Sequence, residues 1–251
     1  GMPLTTIRYM SLGKPKSVRY WLAHSLNPAI HAGDENIPQD FLASDEVDEL
    51  RWVRLSKAAS LLSYQQDTDV LKKASKLPRA TSPLILLRHA EAEKREHFAQ
   101  RHGGEPPADD YRPLTEFGEQ QTSSIASALE AFGVVQVHSS PAVRCLSSIS
   151  PAFVEESQVV LEPDFSEWGA EKNPTATRER IKELRSTNEP IVICSHRPVL
   201  PILLRGVAKK SQQPSRKLKP GDFAVFHRSI EALGKSRKNL VLAVEHSNES
   251  V

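Results

Sequence analysis

The chain has 251 residues, 39% hydrophobic and 25% charged, with a mean hydropathy of −0.42. This is globular composition and excludes a disordered or collagen-like chain. Lys and Arg total 33 against 31 Asp and Glu, a net charge of +2, which is not the footprint of a nucleic-acid binder. No apolar run reaches the roughly 18–20 residues of a membrane helix, and no charged-then-apolar leader follows Met2, which reads as the natural start. With two cysteines and no leader, the thiols are expected to be reduced and the protein cytoplasmic.

In chain order, residues 2–80 have their own texture. Val18–His24 is a short apolar run with aromatics and predicts a strand. Asn27–Ala43, rich in Pro, Gly, Asp and Asn, predicts loop. Glu46–Leu55 (EVDELRWVRL) predicts a second strand, and Leu55–Lys76 a helix with Leu and Ala recurring at three and four. Lys76–Pro83 holds two prolines and is the expected domain boundary.

From Leu84 short strands alternate with helices. Strands are expected at Leu84–Leu87, Val134–His138, Gln158–Glu162, Ile191–Ser195, Phe223–His227 and Leu240–Glu245. Helices are expected at Thr115–Phe132, Ala142–Glu155, Thr175–Thr187 and Pro198–Ala208. Thr115 suits an N-cap and Gly133 a C-terminal stop, while Gly118 weakens its helix and Pro151 ends or kinks the next. Repeated strand–helix units predict an α/β domain: a mostly parallel sheet with helices on both faces.

The chemistry-bearing residues fall at one place in that scheme. Arg88-His89 follows the first strand, Arg144 follows the second by way of Ser139-Ser140-Pro141, and Ser195-His196-Arg197 follows Ile191–Cys194. Ligands of open parallel sheets bind beyond the carboxyl ends of the strands. Two imidazoles and two guanidiniums suit phosphoryl transfer. A neutral histidine nitrogen attacks phosphorus, and guanidiniums hold the equatorial oxygens. A thiol mechanism needs Cys-x5-Arg, but Pro151 and Leu200 stand six residues after Cys145 and Cys194. Those two cysteines are expected near each other, either as buried small apolar residues or as an oxidation-sensitive pair. Arg205, Lys209, Lys210, Arg216, Lys217 and Lys219 form a basic cluster: a solvated loop, or a rim for a polyanionic substrate. Trp168 is a candidate for stacking on a base.

LLRHAEAEKR, YRPLTEFGEQQ, SSPAVRCLSS and CSHRP, in this order from about Leu84 to Val244, resemble the successive motifs of the histidine phosphatase superfamily. The resemblance implies a phosphoglycerate mutase-like fold, with His89 as the phosphorylated nucleophile and Arg88, Arg144 and His196 around the phosphate. It implies no metal and no other cofactor. Arg112, in RPLT, and Ser195 are expected to line the substrate site. Ala90 replaces the glycine more usual after RH, as in the compact branch that includes phosphohistidine phosphatases. The general acid is not set by a motif: Glu167 is the candidate, with Glu171, Glu91 and Asp109 open.

KPKSVRYWLAHSL and DEVDELRWVRLSKAASLLSYQQDTDVL resemble strands and the last helix of Nudix domains that precede a histidine phosphatase in two-domain proteins. The Nudix metal helix, Gly-x5-Glu-x7-Arg-Glu-x2-Glu-Glu, is missing. Its nearest imitation, Arg178–Glu183, lies in the wrong domain with Lys182 where a carboxylate belongs. The division expected is thus 2–80, a truncated α+β Nudix-like segment without its catalytic helix, and 81–251, the phosphatase. Unpaired strand edges in the first piece suggest a homodimer through it. The expected partner is a phosphorylated small molecule, with a nucleotide favoured by the Nudix resemblance, and neither nucleic acid nor membrane. The competing readings are a phosphohistidine phosphatase acting on a phosphoprotein and a non-catalytic phospholigand-binding scaffold.

Overall fold

The computed structural model describes residues 1–23, 42–77, 81–105, 108–153, 158–230 and 241–247. The chain divides into two compact units, Gly1–Arg79 and Ala80–Val251. In the first, strands β1 (Pro3–Ser11) and β2 (Lys14–Trp21) form an antiparallel hairpin turned at Leu12–Gly13. Helices α1 (Leu55–Leu61) and α2 (Gln65–Ala74) follow, and the Tyr20 hydroxyl donates to Asp67 at 2.7 Å to fasten the hairpin to α2. Among the described residues of this unit, Met2 and Leu4 are the buried hydrophobic side chains; Leu12, Trp21, Trp52 and Tyr64 are exposed.

Several expectations for this unit need correction. β1 was not anticipated, and β2 ends at Trp21; His24 and most of Asn27–Ala43 lie outside the described residues. Glu46–Leu55 is not a strand. The Ser44 hydroxyl accepts from the backbone N–H of Glu46 and Val47, which winds the segment into a turn, and it pairs with no described strand. Its apolar alternation at Val47, Leu50 and Trp52 stays exposed beside four carboxylates. The helical run Leu55–Lys76 is two helices, because Leu62 and Tyr64 are extended, with ψ of 130° and 135°.

In the second unit six strands lie in the order β5-β4-β6-β3-β7-β8: β5 (Val159–Leu161), β4 (Gln136–Ser139), β6 (Ile191–Ser195), β3 (Thr81–Arg88), β7 (Phe223–Ser229) and β8 (Val241–His246). The first four are mutually parallel, and β7 and β8 close the edge antiparallel. The α/β expectation holds. The apolar runs of β3 and β6 follow from burial on both faces. Leu84, Leu86, Ile191 and Ile193 pack against α7 (Pro174–Leu184) and α8 (Leu200–Val207). Ile85, Leu87, Val192 and Cys194 face α4 (Glu116–Ala131) and α5 (Val143–Ile149). Short helices α3 (Arg95–Arg101) and α6 (Glu167–Lys172) were not anticipated; α3 buries one side chain, Phe98, too few for a periodic signal.

The Thr115 hydroxyl caps α4 by accepting from the Gly118 N–H at 3.0 Å. A Cβ on Gly118 would sit 2.0 Å from the Glu91 carbonyl oxygen, so this glycine permits the close approach of α4 to the loop after His89. Far from that loop, the buried Arg228 guanidinium donates to the carbonyls of Ser82, Pro83, Leu184, Arg185, Thr187 and Glu189 and to the Ser82 hydroxyl. It ties the start of β3 and the segment after α7 to β7, and burial pushes its pKa down to about 10. Removing it leaves buried carbonyls unpaired. Arg228→Met is expected to cost about 3 kcal/mol, read as a lower urea midpoint; an unchanged midpoint would contradict this staple.

Candidate active site

The parallel pairing of β3 with β6 sets Arg88 opposite Ser195, and the His89 N–H donates to the Ser195 carbonyl at 3.1 Å. His89 and His196 therefore leave neighbouring strands at the same level, with ring centroids 5.2 Å apart. His89 is 7% exposed; its Nδ1–H donates to the Ala90 carbonyl at 2.7 Å, so the other ring nitrogen, Nε2, carries the lone pair. Burial, reinforced by the charges of Arg144, Arg88 and Arg112, lowers its pKa to about 4 against the opposing Ala90 hydrogen bond. Burial, then Arg144 and His89, also holds His196 far below the usual imidazole range. Both rings are neutral at physiological pH.

Further hydrogen bonds fix these rings. The Ala90 N–H donates to the Ser148 hydroxyl at 2.8 Å, which donates to the Arg144 carbonyl at 2.6 Å, so α5 holds the loop carrying His89. Ala90 is fully buried in the layer packed against α4 and α5, which explains the small residue after Arg88-His89. Ser140, at the end of β4, sits 2.8 Å from His196 Nε2. If its hydroxyl donates there, Nδ1 keeps the proton, turned to the Glu167 carboxylate 3.6 Å away. Ser140, Ser148 and Arg95 were not singled out in the sequence. The SSP run preceding Arg144 was the available signal for Ser140.

Arg144 is 1% exposed. Its guanidinium meets the Asp109 carbonyl at 2.7 Å, the Asp109 carboxylate at 3.1 Å and Glu167 Oε1 at 3.4 Å. Arg112, also buried, donates to the Asp109 carboxylate at 2.9 Å, and Arg95 reaches both Asp109, at 2.9 Å, and Glu167, at 3.1 Å. Asp109 lies in the 3₁₀ turn Asp109–Tyr111. Burial alone would raise its pKa, but hydrogen bonds from Arg112 and Arg95 and the charge of Arg144 outweigh it and hold the carboxyl well below the usual range. Arg88 donates to the Leu218 carbonyl at 2.9 Å, between Lys217 and Lys219 of the exposed basic cluster. The Nε atoms of Arg88 and Arg144 are buried and have no hydrogen-bond partner among the described residues.

Of the acid candidates, Glu167 stands beside His196 and Arg144, at the start of α6 behind the Ser166 cap. Asp109 is bound by three guanidiniums. Glu91 is exposed and accepts from Thr115, and Glu171 is exposed on α6. Ser195 does not converge with the guanidiniums. Its hydroxyl donates to the Phe165 carbonyl at 2.7 Å, on the face shared with Ile191 and Ile193, and so steadies the turn leading to Glu167. Cys145 Sγ lies 3.6 Å from His196 Nε2, and the Cys194 thiol points to the Cys145 carbonyl at 3.6 Å. Both are buried, and burial first, then Cys145, pushes the Cys194 thiol up, away from thiolate chemistry. Trp168 is exposed with Lys172 Nζ 4.4 Å above its ring. Among the described residues, no three His, Cys, Asp or Glu groups converge as metal ligands, and no helix is long and apolar enough to cross a membrane.

Residues 84–186 match the model of the Histidine phosphatase superfamily (branch 1). This segment holds Arg88, His89, Asp109, Arg112, Arg144 and Glu167; Ser195, the last residue of β6, and His196 just after it lie beyond it. The chain is 30% identical over 205 residues to a Mycolicibacterium smegmatis protein named 8-oxo-(d)GTP phosphatase. That match takes in 81% of this chain and 58% of the relative. Similar solved structures include the protein histidine phosphatase SixA complexed with tungstate (18% identity, TM-score 0.43, 59% of this chain and 88% of that one). Another is a mycobacterial glucosyl-3-phosphoglycerate phosphatase (12% identity, TM-score 0.42, 67% and 98%).

The geometry fixes an expected pH dependence. A nucleophilic His89 must be neutral, and with a pKa of about 4 it stays neutral until the pH falls through that value. The acid limb of kcat/KM set by this residue is expected near pH 4 rather than near the ordinary histidine value; a pH–rate profile checks it.

Proposed function

We propose that the chain is a phosphatase that hydrolyses phosphomonoesters or nucleotide phosphates through a phosphohistidine on His89, with no metal taking part. One observation carries the reading: two neutral, buried imidazoles are flanked by Arg88 and Arg144, each with a buried Nε–H lacking a partner among the described residues. An anionic phosphoryl group is the electrostatic complement of two guanidiniums set beside two neutral imidazoles.

His89 Nε2 attacks phosphorus in line with the ester oxygen; the P–O bond breaks and Glu167 delivers a proton to the departing oxygen. Arg88 and Arg144 hold the equatorial oxygens, and His196 Nδ1–H, oriented by Ser140, donates to one of them. Water, losing its proton to the Glu167 carboxylate, then attacks the phosphohistidine. The P–N bond breaks, returning neutral His89 and inorganic phosphate. Arg112 and Arg95 act through Asp109, which sets the position of Arg144.

Within the same reading, the substrate is a phosphorylated small molecule, with nucleotides favoured. The 205 residues aligned with the relative named 8-oxo-(d)GTP phosphatase exceed the length of 80–251, so that likeness enters the first unit. Residues 2–80 are read as a Nudix-like unit without a metal helix, whose exposed Leu12, Trp52 and Tyr64 suit contact with a second copy. Reduced Cys145 and Cys194 suit the cytoplasm. A second reading, hydrolysis of phosphohistidine on a phosphoprotein, draws on Glu167. Its carboxylate is shared between Arg95 and Arg144, which favours leaving groups that need little protonation.

Phosphate release from adenosine diphosphate, a sugar phosphate, acetyl phosphate and phosphohistidine is the test. Activity is expected to persist in EDTA and to vanish in His89→Ala. Glu167→Gln is expected to slow the sugar phosphate about 100-fold and acetyl phosphate far less. Activity surviving His89→Ala, or lost in EDTA, would overturn the mechanism.

A further inference from the structure

A cavity of about 420 Å³ is lined by Phe98, Arg101, His102, Tyr111 and Pro113. Its size falls in the roughly 300–1,000 Å³ range of small-ligand pockets. None of its five residues is needed for the chemistry at His89. We infer that this cavity receives the aromatic base of a nucleotide substrate, with Tyr111 as its stacking platform; the inference rests on the phosphatase reading for where the phosphate sits.

The cavity shares its two segments with the phosphate site. Tyr111 ends the 3₁₀ turn whose first residue, Asp109, holds Arg144 by both carbonyl and carboxylate, and the next residue, Arg112, grips the same carboxylate. Two Cα steps separate Asp109 from Tyr111, a reach of at most about 8 Å. On the other side, α3 begins at Arg95, which pairs with Asp109 and Glu167, and carries Phe98 and Arg101 to the cavity, with His102 just after it. His102 lies about 10 Å along the helix direction from Arg95. The cavity is thus joined by short spans of chain to Asp109 and Arg95, the residues that hold Arg144 and reach Glu167.

The lining suits a flat heterocycle. Phe98 is 4% exposed and forms an apolar base, with the His102 ring 4.6 Å away and the Arg101 guanidinium 5.6 Å from its centroid. Tyr111 is 64% exposed, so its ring is open to a stacking partner. The His102 Nδ1–H donates to the Phe98 carbonyl at 2.8 Å, which leaves Nε2 as an acceptor for an amino group. Arg101 gives one amino group to Glu93 and retains other N–H donors for ring nitrogens or carbonyls. An acyclic acyl phosphate offers these groups neither a π face nor a polar edge. The alternative platform, Trp168, already carries Lys172 against its ring.

The test compares adenosine diphosphate with acetyl phosphate, and measures binding of adenosine, which has no phosphate, by ligand-observed NMR on the full chain. Tyr111→Ala is expected to lower kcat/KM for adenosine diphosphate about tenfold relative to that for acetyl phosphate, and to abolish the adenosine signal. Tyr111→Phe is expected to restore both. Equal effects on the two phosphates, or adenosine binding that ignores Tyr111, would overturn the inference. Tyr111-dependent adenosine binding with neither phosphate hydrolysed would support the cavity and overturn the phosphatase reading instead.

Discussion

Five paired residues, from Leu84 opposite Ile191 to Arg88 opposite Ser195, align β3 with β6 in parallel. Everything chemical in the second unit depends on that register. A strand slip of one residue would swap the two covered faces of β3 and move Arg88 and His89 off the level of Ser195 and His196. The strands thereby deliver two imidazoles to one edge with ring centroids 5.2 Å apart. The β4–β6 pairing then brings Ser140 to His196, and α5 brings Ser148 and Arg144.

Burial does the second half of the work. A guanidinium resists deprotonation even when desolvated, whereas an imidazole gives up its proton readily. The same buried site therefore sets two guanidiniums, of Arg88 and Arg144, beside imidazoles of His89 and His196 that burial keeps neutral. Asp109 balances three guanidiniums and holds Arg144 by both its carbonyl and its carboxylate. Glu167 meets the same Arg144 nitrogen, but it shares two guanidiniums rather than three and stands 3.6 Å from His196. The two carboxylates thus have different surroundings, and the proposed roles follow from that difference.

The legible parts of the sequence were those in which local pattern and long-range environment agree. LILL and IVICS are continuous apolar runs because both faces are covered, and the helix after Thr115 carries its own cap. His89, Arg88, Arg144 and His196 were legible because each stands at the end of a strand, directly after it, or just past the turn that follows. What was hidden depended on partners far away in sequence. The alternation of Glu46–Leu55 imitates a strand, but no described strand pairs with it. The role of Asp109 emerges only when Arg95, Arg112 and Arg144 converge on it. Ser195 shows the reverse case: its parity with Ile191 and Ile193 already assigns its hydroxyl to the face opposite Cys194, toward Phe165.

The central claim is that His89 carries the phosphoryl group. The most direct measurement is peptide mapping of the protein quenched in alkali during turnover of a substrate labelled in its transferable phosphate. The account predicts an alkali-stable, acid-labile phosphoramidate on the peptide containing His89. A label confined to His196 or to Cys145 would contradict it.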